Sequence, residues 1–326
     1  MAPAGERTFR MMEKKGNIHG RVVRSTGSWY QVQTDDGRLV ECKVKGNFRL
    51  RGIRSTNPVA VGDGVSITEG GDVAYIVSID DRRNYIIRKA SNLSKQSHIL
   101  AANIDQALLL VTVAQPETST TFVDRFLASA EAYGVPVALG FNKWDVLTAD
   151  ERQAADYLMH VYAGIGYPCY SISALGGQGL EAVGQWLAGR VTLLAGHSGV
   201  GKSTLLNHYV PEAHARTAEL SEAYGTGVHT TTYSTLYPMS GGGALIDIPG
   251  IKGFGTFNIE PEELSHYFRD IFHLSAGCRF DNCTHTHEPG CAVLEALQNH
   301  QLAPTRYQSY LSMLGDKDEA KYRPAY

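Results

Sequence analysis

Two hydrophobic periodicities and a change of texture divide the chain. Over residues 17–90, apolar and polar positions alternate in short runs, RVVRSTGSWYQVQT, RLVECKVKG and DGVSITEGGDVAYIVSI, cut by Gly, Asp and Asn. Period-two alternation broken by turn residues at this spacing predicts a small β-barrel or sandwich. A length of about 70 residues suits a five-stranded OB-type barrel, and periodicity alone leaves an SH3-like one open. Over residues 91–257 the strands become continuously apolar, as in ALLLVTVA and PVALGF, and helical stretches near 121–133 and 150–165 separate them. That texture predicts a mostly parallel α/β sheet with both faces covered. Over residues 258–326, EELSHYFRDIFHL, CAVLEALQNHQL and TRYQSYLSML carry helical spacing. The expected architecture is multi-domain: a disordered tail at 1–16, an N-terminal barrel, a central α/β domain and a C-terminal helical module.

Composition changes this picture in three places. The chain has 326 residues, of which 43% are hydrophobic and 19% charged, enough for more than one core. No apolar run reaches the roughly 18–20 residues of a membrane span, and residues 1–16 lack the apolar region of a secretory leader. Five cysteines, an odd number, argue against a disulfide framework and for a reducing cytoplasm. The net charge of −3 is uneven: residues 1–90 hold 16 Lys/Arg against 10 Asp/Glu, leaving 14 against 23 for the rest. A basic first domain is suited to phosphate backbones. The loop GNFRLRGIRSTNP adds Arg49, Arg51 and Arg54 around Phe48, a combination suited to RNA by phosphate contact and stacking. No heptad is legible, so a monomer is expected.

The candidate chemistry begins with GHSGVGKS at 196–203. It matches G-x-x-x-x-G-K-[ST] between the strand VTLLA and a helix opening STLLNHYV. Gly196, His197, Ser198, Gly199, Val200 and Gly201 form the phosphate loop. Lys202 is expected to reach the β- and γ-phosphates, Ser203 to ligate Mg²⁺, and Thr204 to lie in the first helical turn. NKWD at 142–145 follows the strand VALGF and selects the base. The Asp145 carboxylate can accept from guanine N1–H and the exocyclic amine, a pair of donors that adenine lacks. Asn142 can bond the purine from the other side, and the Lys143 stem can cover the ring. SISA at 171–174, with Ser173 and Ala174, is similar to the loop whose N–H meets guanine O6. DIPG at 247–250 places Asp247 for Mg²⁺ and the Gly250 amide for the γ-phosphate, and GVHTTTY at 227–233 supplies a switch threonine, Thr231 first and Thr230 next.

Downstream, CRFDNCTHTHEPGC gives Cys278, Cys283, His285 and Cys291, a C-x₄-C-x-H-x₅-C pattern that suits tetrahedral Zn²⁺, with His287 as a rival ligand. Four protein ligands leave no open position, so such a zinc would be structural. Cys42 and Cys169 read as core residues of strands.

The motifs occur in the order NKWD, SISA, GHSGVGKS, HTTT, DIPG, with base-reading loops ahead of the phosphate loop. This order, between a barrel and a Cys/His module, resembles the RsgA family of circularly permuted GTPases across nearly the whole chain. The resemblance implies hydrolysis of GTP to GDP and phosphate as a checkpoint in late maturation of the small ribosomal subunit, with ribosomal RNA as partner. It also implies His285 over His287 as the zinc ligand, and His229, in the GxHTTT pattern, as the group that positions water. Ras-like enzymes place a Gln after DxxG for that task, whereas this chain has Ile251. Two other readings stand beside it: a guanine-nucleotide-gated binding switch without useful hydrolysis, and a GTPase acting on another client, such as a metal-delivery target. The chain departs from the usual DTPG at Ile248, a position that is not a ligand. IKGFGTFN, with Gly253 and Gly255, runs from DIPG into the C-terminal module and is expected to pass switch movement to it.

Overall fold

The computed structural model describes residues 17–26, 28–44, 58–70, 73–89, 97–213, 234–248 and 259–321. The tail at 1–16, the Phe48–Arg54 loop, His229, Thr230, Thr231, Gly250, Ile251, Gly253 and Gly255 lie outside the described residues.

The first five strands are β1 (Ile18–Ser25), β2 (Tyr30–Thr34), β3 (Leu39–Val44), β4 (Gly64–Gly70) and β5 (Val73–Ile79). They close in the order β1-β2-β3-β5-β4-β1, with β3 and β5 parallel and the other pairs antiparallel. This is the OB-type alternative of the two that periodicity left open. Alternation sets the faces: Tyr30, Val32 and Thr34 turn inward while Gln31 and Gln33 stay half-exposed. Val22, Val32, Cys42, Val65, Ile67 and Ile76 fill the interior. A bulge between Val22 and Arg24 shifts the register of β1, and its last two residues then pair with a strand of the central sheet, Arg24 with Thr235 and Ser25 with Ser234.

A hairpin follows, β6 (Tyr85–Lys89) against β7 (Ser97–Ala102). The barrel's own ladder ends at Ile79, before this hairpin begins.

The central sheet consists of β8 (Gln106–Val111), β9 (Val137–Phe141), β10 (Cys169–Ser171), β11 (Val191–Ala195), β12 (Ser234–Pro238) and β13 (Ala244–Asp247). In space the order is β10-β9-β8-β11-β13-β12, all parallel except β12. Alternate residues of β8 enter opposite cores: Ala107, Leu109 and Val111 on one face, Leu108 and Leu110 on the other. The first face is covered by α1 (Thr120–Ala132) and α2 (Ala149–Gly164), the second by α3 (Leu180–Leu187) and α4 (Lys202–Tyr209). The sequence starts α1 and α2 through N-caps: the Ser119 hydroxyl accepts from the Phe122 N–H, and Thr148 and Glu151 form a reciprocal capping box.

The C-terminal part comprises a 3₁₀ turn (Pro261–Tyr267), α5 (Arg269–Ser275), α6 (Ala292–Gln298) and α7 (Pro304–Lys321). EELSHYFRDIFHL, expected as one helix, is broken at Phe268, whose backbone is extended. The break turns its ring fully inward, 4.6 Å from the Arg306 guanidinium and 5.5 Å from the Tyr310 ring. A buried charge network joins this part to the central sheet. Arg306 forks onto Asp270 at 2.8 and 2.9 Å and reaches Asp124 of α1 at 2.6 Å, while Tyr162 of α2 donates to the same Asp124 oxygen at 2.9 Å.

Candidate functional site

In an open α/β sheet, ligands bind beyond the carboxyl ends of the strands, where the strand order reverses. Here the chain runs outward from β8 to β10 and returns to β11 beside β8. The ends of β8, β9, β10, β11 and β13 therefore bring TVAQPETS, NKWD, SISA, GHSGVGKS and DIP to one edge. Motifs that are permuted along the chain become neighbours in space.

Asn142 is the tie among them. It is buried, its Nδ2 donates to Val200 O at 2.7 Å, and its Oδ1 accepts from the Ala174 N–H at 2.8 Å. The base loops and the phosphate loop are thus held by one amide. An amide nitrogen carries two N–H groups, and Val200 O takes one of them. The Ala174 N–H, by contrast, is already used by Asn142 rather than held open for guanine O6. Lys143 adopts a left-handed backbone (φ 68°), and its Nζ donates to Gln115 O, so its stem spans two loops. Asp145 is exposed in a short 3₁₀ turn (Trp144–Val146), with its carboxylate free to meet a ligand edge. Ser173 is buried and shapes the neighbouring turn, accepting the Gly176 N–H at 2.8 Å.

The phosphate loop needs its glycines. Gly196, Gly199 and Gly201 have φ of 139°, 83° and 103°, and a Cβ on Gly201 would lie 2.2 Å from Asn142 Nδ2. Val200 is buried, Ser198 is exposed, and the His197 ring packs on Phe122 with centroids 3.7 Å apart. Burial, followed by the charge of Lys202, lowers the His197 pKa. Lys202 is half-buried; its Nζ donates to Gly196 O at 2.8 Å and His197 O at 2.6 Å, so the cation is held on the carbonyls of its own loop. Burial lowers its pKa and Asp247 opposes this. Ser203 and Thr204 are exposed in the first turn of α4. Asp247 ends β13 with Oδ1 buried and without a hydrogen-bond partner among the described residues, and burial raises its pKa against the pull of Lys202. A buried carboxylate acceptor within electrostatic reach of Lys202 suits a hydrated divalent cation such as Mg²⁺. Ile248 is buried in the apolar core, which explains why a non-ligand residue is accepted there.

The second site can hold a metal ion. The donor atoms of Cys278, Cys283, His285 and Cys291 all lie within 4.8 Å of one another. Cys278 Sγ and Cys291 Sγ are 3.9 Å apart, and His285 Nδ1 is 3.6 and 3.5 Å from them. A tetrahedron with Zn–S of about 2.3 Å and Zn–N of about 2.0–2.1 Å has edges of about 3.8 and 3.6 Å, so the donor set fits that ion. His287 stands outside the cluster, exposed, with Nδ1 2.8 Å from Thr286 Oγ1. Burial lowers the His285 pKa, favouring the neutral ring that ligation needs. The loop is braced from outside. The Glu288 carboxylate accepts from the N–H groups of Thr284, Thr286 and His287, while Tyr307 and Tyr310 donate to the carbonyls of His285 and Thr284. Cys42 is buried in the barrel and Cys169 half-buried in β10; burial pushes both thiols up to about 12.

Comparison with known proteins follows from this geometry. A family model described as RsgA GTPase matches residues 79–257, and one described as RsgA N-terminal domain matches residues 19–76. The chain belongs to the RsgA GTPase family. It is a GTP hydrolase with a circularly permuted motif order. The small ribosomal subunit biogenesis GTPase RsgA of Bacteroides fragilis is 62% identical over 310 residues, which cover 95% of this chain and 100% of that one. The protein of the same name from Porphyromonas gingivalis is 57% identical over 315 residues, again 95% and 100%. Among solved structures, YjeQ from Thermotoga maritima superposes with a TM-score of 0.71 at 33% identity, covering 95% of this chain and 100% of that one. YloQ, a circularly permuted GTPase, gives 0.69 at 27%, covering 97% and 100%.

One segment bordering the site was not marked by any motif. The loop between β8 and α1 borders both nucleotide motifs: Gln115 O receives Lys143, and Pro116 lies 3.4 Å from where a Cβ on Gly199 would stand. Thr112 and Thr118 pin it, with Thr118 Oγ1 accepting the Thr112 N–H at 3.1 Å. Its signal was the Pro and Thr cluster directly after the buried strand. Among the described residues, no helix is long and apolar enough to cross a membrane.

Proposed function

We propose that this chain is a cytoplasmic, monomeric GTPase that acts as a checkpoint in late maturation of the small ribosomal subunit, meeting ribosomal RNA through its basic barrel. The observation that carries the nucleotide part is the Asn142 tie, which makes guanine recognition and phosphate binding a single rigid unit. Asp145 accepts from guanine N1–H and the exocyclic amine, the second Asn142 N–H meets the ring, and the Lys143 stem covers its face. The turn with Ser173 and Ala174 closes the base pocket. Backbone N–H groups from Gly196 to Thr204 point at the phosphates, and Lys202 leaves its loop carbonyls for the β- and γ-oxygens. Ser203, Thr231 and Asp247 would hold Mg²⁺, which supplies charge compensation on those oxygens. The Gly250 amide meets the γ-phosphate, and His229 orients the attacking water, since Ile251 offers no polar group.

In the C-terminal module, Cys278, Cys283, His285 and Cys291 would hold one structural Zn²⁺. The small subunit as partner is supported by the names of relatives at 57–62% identity. GTP favours the docked state and GDP the released one. A nucleotide-gated binding switch is the second reading, and Ile251 is what favours it.

The test is phosphate release from GTP by the zinc-loaded chain, alone, with small subunits and with large subunits, repeated with His229→Ala. The checkpoint GTPase predicts stimulation by small subunits only, lost in the variant while nucleotide affinity stays unchanged. Tight GTP-dependent docking with no stimulation would transfer the function to the switch.

A further inference from the structure

Helix α1 is held from two sides. Near its start, the Phe122 ring lies against the His197 ring of the phosphate loop, with centroids 3.7 Å apart. The loop leading into α1 touches the nucleotide motifs twice more: Gln115 O receives Lys143 Nζ, and Pro116 borders Gly199. Residues two apart on a helix point about 200° apart, so Asp124 leaves α1 on the side away from Phe122. There it accepts from Arg306 of α7 at 2.6 Å. Further along, Arg125 donates to Ser312 at 3.2 Å, and Glu131 takes the Arg269 guanidinium at 2.7 Å. Ala128 is buried in the same apolar core as Phe268, Ile271 and Tyr310. One helix thus touches the phosphate loop on one side and the C-terminal module on the other.

We propose that Phe122 is a positioning residue of the phosphate loop, and that through it α1 makes the C-terminal module answer to the nucleotide. The ring braces the turn at Gly196 and His197, whose two carbonyls hold Lys202. When phosphates draw Lys202 from those carbonyls, the turn and the ring packed on it move together. Interiors are close-packed, so the ring shifts α1 rather than opening a gap. On the far side of the helix the Asp124–Arg306 pair is buried, and it carries the shift into α7. This route is separate from the one expected along IKGFGTFN, which starts at the γ-phosphate. GDP offers no γ-phosphate to the Gly250 amide, but its β-phosphate still meets Lys202. The route through α1 therefore responds to GDP, and the segment after DIPG does not.

The experiment follows hydrogen exchange of the full-length, zinc-loaded protein with and without saturating GDP. It reads α7 at residues 304–315 and, as a reference, β2 and β3 of the barrel. In the wild type, GDP is expected to slow exchange in α7 about 5- to 150-fold, the usual range for coupled sites, and to leave β2 and β3 unchanged. Phe122→Leu removes the ring and His197→Ala removes its partner. Both are expected to lose the α7 response at GDP concentrations shown by titration to saturate them, whereas Phe122→Tyr keeps it. His197→Ala leaves α1 intact, so it decides the question if Phe122→Leu fails to fold in melting curves. An α7 response in these two variants equal to the wild type would overturn the proposal. So would a wild-type slowing that β2 and β3 share equally, which is global stabilisation. So would an α7 unaltered by GDP; if it answers a non-hydrolysable GTP analogue instead, the segment after DIPG carries the signal.

Discussion

At the scale of single residues, two positions convert local geometry into measurable behaviour. Gly201 has φ 103° and no room for a side-chain carbon, since a Cβ would stand 2.2 Å from the Asn142 amide that ties three loops. Gly201→Ala is expected to lower GTP affinity at least about 100-fold, because losing two hydrogen bonds at about 1.5 kcal/mol each already gives that factor. Titration with a fluorescent guanine nucleotide checks it, with an unchanged circular dichroism spectrum as control. His19, on the barrel, lies between two carboxylates, with Nε2 2.8 Å from Asp80 and Nδ1 3.0 Å from Asp35. The Asp80 bond first, then the Asp35 bond, raise its pKa above the ordinary 6.5 against a small opposing effect of burial. A raised histidine pKa means that the folded state binds the proton more tightly. The contribution is therefore complete below pH 6.5 and fades as pH rises through the higher folded value. Because His19 is about half exposed, the effect is at most about 1 kcal/mol. Melting temperature is expected to fall slightly between pH about 6 and about 9, and the fall should shrink in His19→Gln.

At the scale of elements, the joint between α1 and the C-terminal helices depends on a charge network rather than on apolar packing alone. The Arg306 side chain is 1% exposed, Asp124 0% and Asp270 9%, so neither carboxylate can fall back on water if the guanidinium is removed. Arg306→Met should cost about 3–5 kcal/mol, seen as a large drop in melting temperature and early proteolysis between α6 and α7. Replacing all three charges with apolar residues of similar volume should recover much of that loss, because the cost comes from stranded charges. Little of this was readable beforehand. Asp124, Asp270 and Arg306 stand in helical stretches as ordinary charged positions, and only the fold brings α1 to α7. The nucleotide loops were readable because phosphate, guanine and a divalent cation each restrict residue type at fixed spacing. The four metal donors were readable for the same reason. The split of EELSHYFRDIFHL at Phe268 was not, since nothing in helical spacing reveals that one ring will be drawn inward by a distant arginine.

At the scale of the whole molecule, the barrel and the α/β sheet are one hydrogen-bonded surface of eleven strands, joined where Arg24 and Ser25 pair with Thr235 and Ser234. The amphipathic pattern announced a barrel and a sheet but not their junction, because a ladder between remote strands uses backbone groups that nearly every residue possesses. That junction has a colloidal consequence. β12 is the last strand of its own sheet, and an uncovered border strand invites pairing with other chains. Pro238 blunts one end of it, and the barrel covers the other. A chain shortened to begin after Ile79 is therefore expected to self-associate in light scattering. Thr235→Pro in that shortened chain should return it toward a single size. Whatever the barrel reads, its pairing with Ser234 and Thr235 also closes part of the border through which the sheet could otherwise extend.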